Sequence, residues 1–115
     1  MGLPHEGYMR FDGQAMLGLL VLAAAGAGAE PVAERQRELM RLVRQDCGSC
    51  HGMTLAGGLG PPLLPATLRD RPVPALVQTV LHGRPGTPMP PWQRFLDETE
   101  AQWIVDRLLA GFPAQ

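Results

Sequence analysis

The sequence contains no lysine. All ten basic residues among its 115 are arginine, against 11 acids, so the formal net charge is −1. Arginine abundant together with alanine, glycine and proline reads as nucleotide bias in a GC-rich genome rather than as function. Large flat side chains are scarce, namely Tyr8, Phe11, Trp92, Phe95, Trp103 and Phe112, and only two cysteines are present. Each shortage excludes something. The near-neutral charge excludes a strongly basic nucleic-acid binder. The length allows one small domain and excludes a large enzyme fold such as a TIM barrel. A short chain with few aromatics builds a thin core, so something besides ordinary side-chain packing is needed to hold it together. What the chain has instead is 14 glycines and 12 prolines, nearly double the usage of about 12% in ordinary proteins. The glycines follow no third-residue period, which excludes collagen.

The first 29 residues read as a leader outside the fold. Ala15 to Ala29 is a charge-free run, AMLGLLVLAAAGAGA. It falls short of the roughly 20 apolar residues that span a bilayer. It ends in Ala27-Gly28-Ala29, a small-x-small pattern that fits signal-peptidase cleavage. Glu6 and Asp12 leave the front end without a clear positive charge, whereas a start at Met9 gives the more ordinary opening Met9-Arg10. The competing reading is a retained membrane anchor, for which Ala and Gly are poor material. Cleavage leaves a domain of residues 30–115 in which arginines and acids are equal in number. It also implies export to an oxidising compartment, here the periplasm, with no integral membrane segment after cleavage.

In such a compartment two cysteines would first be read as a disulfide. The residue after the second changes that reading: Cys47-Gly48-Ser49-Cys50-His51. Cys-x-x-Cys-His is the attachment pattern of c-type haem. Each thiol adds across one vinyl group to give a thioether, and the adjacent histidine is placed to give the iron its proximal nitrogen. Haem attachment takes place on the exported side of the membrane, so leader and motif agree. Three other readings stand beside this one. A thioredoxin-like redox pair lacks a strand–helix–strand setting here. A zinc site lacks two further ligands at matching spacing. A five-residue pattern also arises by chance.

A second axial ligand has few candidates. Met1, His5, Met9 and Met16 leave with the leader, Met53 is too near His51, and Met40 lies on the helix that delivers the cysteines. His82 and Met89 remain. Met89 sits in Arg84-Pro85-Gly86-Thr87-Pro88-Met89-Pro90-Pro91-Trp92. Flanking prolines restrict the backbone to extended angles and remove amide donors, which makes a stiff loop that holds a thioether with little ordering cost. The alternative for Met89 is a core plug. His82 precedes Gly83 and reads as a helix C-terminal residue.

Helical periodicity accounts for much of the remainder. A first helix runs from about Ala33 to Cys47, with Leu39, Val43, Cys47 and Cys50 on one face. Arg37, Arg41 and Arg44 form another stripe, either a solvated face or a docking patch for an acidic partner. His51 to Pro65 is a loop broken by Gly52, Gly57, Gly58, Gly60, Pro61 and Pro62. There the Pro61 carbonyl is a candidate acceptor for the His51 ring N–H. A second helix starts near Pro74 and ends at Gly83, burying Val73, Leu76, Val77, Val80 and Leu81. Trp92, after the methionine loop, packs on the haem or in the core. The last helix opens at Asp97-Glu98-Thr99-Glu100, a capping-box pattern, buries Ala101, Ile104, Val105 and Leu108, and stops at Gly111. No alternating strand pattern appears.

From about Glu34 to Phe112 the sequence resembles a small class I monohaem cytochrome c. The resemblance implies an all-α fold of three to five helices around one covalently bound haem c, with the first and last helices crossing so that Leu39 and Val43 meet Ile104 and Leu108. It implies haem attachment at Cys47 and Cys50, with His51 proximal and Met89 distal, so that the metal ligands are His51 and Met89. The stretches Asp46 to Leu55 and Gly83 to Trp92 are similar to the small cytochrome c55X-type proteins that accompany cytochrome cd1 nitrite reductase in denitrifying bacteria. That similarity implies a redox protein partner, either the nitrite reductase or a haem d1 biosynthesis protein. Two protein ligands saturate the iron, so the chain is expected to be a monomeric electron carrier with no catalysis of its own. The alternatives are an accessory role in haem d1 maturation and a sensor with an open iron.

Overall fold

The computed structural model describes residues 2–4, 7 and 29–113. Most of the expected leader, with the alternative start at Met9, lies outside the described residues.

The first helix is longer than its apolar stripe predicts. α1 (Ala33–Leu42) passes into a wider π-type turn (Val43–Cys47) and then into a last α-helical turn, α2 (Gly48–His51). Every junction keeps right-handed helical angles, from Leu42 (−56°, −49°) to Gly48 (−62°, −27°). The entire Cys-x-x-Cys-His segment is therefore helical, and the expected end at Cys47 is corrected to His51. Gly48 does not break the helix because it is buried against it with ordinary helical angles. Gly52 does break it. Its φ is +92°, and a Cβ there would stand 2.6 Å from the Gly57 carbonyl oxygen.

The π-type turn also alters what the stripe does. Such a turn takes an extra residue and rotates the next helical turn relative to a regular α-helix. Leu39 and Val43 are fully buried, whereas Cys47 is half-buried and Cys50 is exposed. The arginine stripe also splits. Arg37 and Arg41 stay exposed. Arg44 turns to the C-terminal segment, donating from Nη2 to the Pro113 carbonyl and lying 5.6 Å from the Phe112 ring centre.

A four-residue helix that the periodicity does not predict, α3 (Pro65–Leu68), begins at the last residue of the expected loop and buries Leu68. α4 (Val73–His82) has Pro in its first turn, a position where the missing N–H is no loss. Val77 and Leu81 are buried on it, and Val73, Leu76 and Val80 pack half-buried against the core. α5 (Glu98–Ala110) begins at the Asp97 capping box. Asp97 Oδ1 accepts from the Glu100 N–H at 2.8 Å, and Glu100 Oε2 accepts from the Asp97 N–H at 3.0 Å.

α5 is the central packing element. It touches α4, α3 and α1, and it buries the four expected residues with Trp103 in addition. Leu39, Val43, Ile104 and Leu108 share one core with Leu55, Leu68, Val77, Leu81 and Leu96. Burial of each such side chain stabilises by about 1.5–3 kcal/mol before entropy is subtracted. The contact between the first and last helices is tied at its edge by Arg35. That side chain reaches Glu100 (Nε to Oε1, 2.6 Å) and the Phe95 carbonyl (2.9 Å). Among the described residues there is no strand, and no helix is long and apolar enough to cross a membrane.

Candidate haem site

Cys47 and Cys50 stand one helical turn apart at the end of the long helix, and no disulfide joins them. Burial, with the Asp46 charge adding to it, pushes the Cys47 thiol up to about 11. A redox-active Cys-x-x-Cys pair needs the opposite, a thiol lowered toward or below neutrality. No cluster of His, Cys, Asp and Glu that could hold a zinc ion occurs among the described residues.

His51 follows on the same turn, half-buried, with its Nδ1 2.7 Å from the Pro61 carbonyl oxygen. A carbonyl only accepts, so Nδ1 donates and the neutral ring keeps Nε2 as its electron-pair donor. The loop after the helix is fastened to the helix end as well as to the ring. The Gly57 N–H donates to the His51 carbonyl (2.8 Å) and the Gly60 N–H to the Cys50 carbonyl (2.7 Å). These carbonyls are among those a helix C-terminus leaves without partners. Gly60 passes so close that a Cβ on it would lie 2.8 Å from His51 Cε1 and Nδ1. Leu55 anchors the loop from below, buried and in the left-handed region at φ 59°.

The methionine loop is fixed to a different helix end. Arg84-Pro85-Gly86-Thr87 forms a type II-like turn, with Gly86 at φ 77° and the Thr87 N–H donating to the Arg84 carbonyl at 3.1 Å; glycine suits the third position of such a turn because φ is positive there. The Arg84 N–H donates to the Met89 carbonyl (3.2 Å), and the Trp92 and Gln93 N–H groups donate to the carbonyls of Val80 and Leu81 (both 3.1 Å). The loop therefore leaves the end of α4 and returns to it. Met89 is half-buried, Met53 and His82 are exposed, and Met40 packs against the core. Trp92 is half-buried beside Phe95, with ring centres 5.9 Å apart.

Three features escaped the sequence reading. One is the contact of Gly60 with the imidazole, for which the Gly-Pro pair after the motif was the available signal. Another is the left-handed Leu55, which has no sequence signal. The third is the Thr87 side chain, which accepts from the Met89 N–H.

Covalent haem attachment needs two reduced thiols a turn apart and an imidazole with its Nε2 open, and the residues at this helix end fit it. Fold and site together define a c-type cytochrome. Comparison with known proteins narrows the class. A family model described as cytochrome C oxidase, cbb3-type, subunit III matches residues 34–106. The chain is 58% identical over 85 residues to cytochrome c55X of Pseudomonas aeruginosa, covering 74% of this chain and 71% of that one. A solved structure of the c-type cytochrome NirC superposes with a TM-score of 0.70 at 57% identity, covering 71% of this chain and 96% of that one. The chain belongs to the cytochrome c55X family, and it carries covalently bound haem c. Over 108 residues, 93% of its length, it is also 41% identical to the dihydro-heme d1 dehydrogenase of P. aeruginosa, of which the match spans only 20%.

Proposed function

We propose that the chain is a periplasmic electron carrier of the nitrite reductase system, holding its haem through thioethers at Cys47 and Cys50 and its iron between His51 and Met89. The observation that carries this reading is the 2.7 Å approach of His51 Nδ1 to the Pro61 carbonyl. It fixes the tautomer that leaves Nε2 for a metal. Haem supplies a reversible one-electron couple, and histidine with methionine raises its potential. The protein's own residues fix both ligands and cover the group from water. An iron with two protein ligands offers no place for substrate, so the chain has no catalysis of its own. Residues 1–29 are removed on export, and sequencing the exported protein should find Glu30 first.

The partner is a redox protein, and cytochrome cd1 nitrite reductase is the leading choice. Mixing the reduced protein with that enzyme should give rapid haem oxidation that depends on enzyme concentration. Oxidation no faster than without the enzyme would overturn the assignment. A second reading, service to haem d1 maturation, is favoured by the 41% identity to dihydro-heme d1 dehydrogenase. It requires a deletion strain to accumulate an incomplete haem d1, whereas a delivery role leaves haem d1 normal and slows nitrite reduction alone.

A further inference from the structure

We infer that Thr87 is a positioning residue for the axial methionine, acting through its hydroxyl. This rests on the proposed ligation by Met89. The Thr87 hydroxyl donates to the Arg84 carbonyl at 2.7 Å and accepts from the Met89 N–H at 3.3 Å. One side chain thus joins the first residue of the turn to the backbone of the ligand. Pro85, Pro88, Pro90 and Pro91 have no N–H to contribute. The amides that organise this segment are therefore few, and Met89 is the one residue between Pro88 and Pro91 that has one. That amide goes to Thr87. The Met89 carbonyl accepts from Arg84, so both backbone groups of the ligand are held.

Gly83 gives the same carbonyl its room. At φ 70°, a Cβ there would stand 2.6 Å from the Met89 oxygen. The backbone of Met89 is thus set by a close approach on one side and by the threonine hydroxyl on the other. A thioether is a weak ligand, and its hold on iron depends on being presented without further ordering of the loop. Removing the hydroxyl frees the Met89 amide and loosens that presentation, while the Pro and Gly residues still shape the turn.

The test uses the holoprotein. Imidazole affinity of the ferric form is measured together with the methionine-to-iron charge-transfer band in wild type, Thr87→Val, Thr87→Ala, Thr87→Ser and Met89→Ala. Thr87→Val and Thr87→Ala should bind imidazole about tenfold more tightly than wild type, roughly the worth of one hydrogen bond, with a weakened band. Thr87→Ser, which keeps the hydroxyl, should return both readouts to near wild type. Met89→Ala should abolish the band and bind imidazole most tightly. Wild-type behaviour in Thr87→Val and Thr87→Ala alongside an opened iron in Met89→Ala would overturn the role of Thr87 and leave the ligation standing. Failure of serine to rescue would overturn the hydroxyl's part. An unchanged band in Met89→Ala would overturn the ligation itself.

Discussion

Gly60 shows how a single hydrogen atom in place of a side chain can set an imidazole. A methyl group at this position would sit 2.8 Å from two ring atoms of His51, closer than carbon and nitrogen tolerate without movement. The Gly60 N–H is bound to the Cys50 carbonyl, so the backbone cannot simply retreat, and the ring must give way. Gly60→Ala should therefore lengthen or break the 2.7 Å bond to the Pro61 carbonyl. The expected cost is about 1–3 kcal/mol of stability, the usual range for overpacking. Denaturant unfolding of the holoprotein checks the cost, and the proton resonance of the His51 Nδ1–H checks the geometry; an unmoved resonance would refute it. At this scale the sequence was informative where chemistry is local. The Gly-Pro pair pointed to the Pro61 carbonyl as the partner of His51. It was silent on Leu55, whose positive φ is imposed by the two hydrogen bonds that tie it to Gly52 and Leu63 and not by its residue type.

At the scale of elements, Glu100 does two jobs. It closes the capping box of α5, and it receives Arg35 from α1 at 2.6 and 3.2 Å. The Arg35 guanidinium, chiefly through these hydrogen bonds and with the Asp97 N–H adding to them, holds the Glu100 carboxyl below the usual carboxylate range. A depressed folded value means that the unfolded chain takes up the proton first as pH falls. The contribution is then fully present above the ordinary carboxylate pKa of about 4.3 and is lost as pH drops through the folded value. The side chains of Arg35 and Glu100 are 33% and 15% exposed, so solvent screening limits the effect to about 1 kcal/mol. Glu100→Gln should lower the stability at neutral pH by that amount and flatten the acid limb of the stability profile. Parallel acid limbs in wild type and variant would refute the coupling. α5 itself was legible because the cap, the apolar period and the stopping glycine all agreed. α3 was not, since four residues hold no period. Nor was the π-type turn at Val43–Cys47, because nothing in those five residues distinguishes it from an α-turn and the stripe Leu39-Val43-Cys47 reads the same in both.

For the whole molecule the governing quantity is the thinness of the core. Among the described residues the buried hydrophobic set is Leu, Val and Ile side chains with Ala101 and a single aromatic, Trp103. Two long loops, 52–64 and 83–97, carry half of the prolines and much of the glycine. They are tied by backbone bonds to the helix ends at Cys50, His51, Val80 and Leu81, and few side chains of their own, chiefly Leu55, Leu96 and Thr87, add to that. A helix as short as α3 does not persist alone, since helix formation needs a nucleus that only longer segments repay. A chain built this way needs a further apolar group to complete its core, and the covalently bound haem c supplies one. Loss of the proposed attachment points should therefore affect the fold and not only the redox chemistry. Cys47→Ala combined with Cys50→Ala should yield a protein that lacks a cooperative thermal transition, shows weakened far-ultraviolet circular dichroism, and is degraded rapidly by protease. Cys50→Ala alone, leaving one thioether, should retain the fold with a lowered melting temperature. A double variant that melts cooperatively near the single variant would show that the aliphatic core is sufficient, and the shortage of aromatics would then be no measure of dependence on the cofactor.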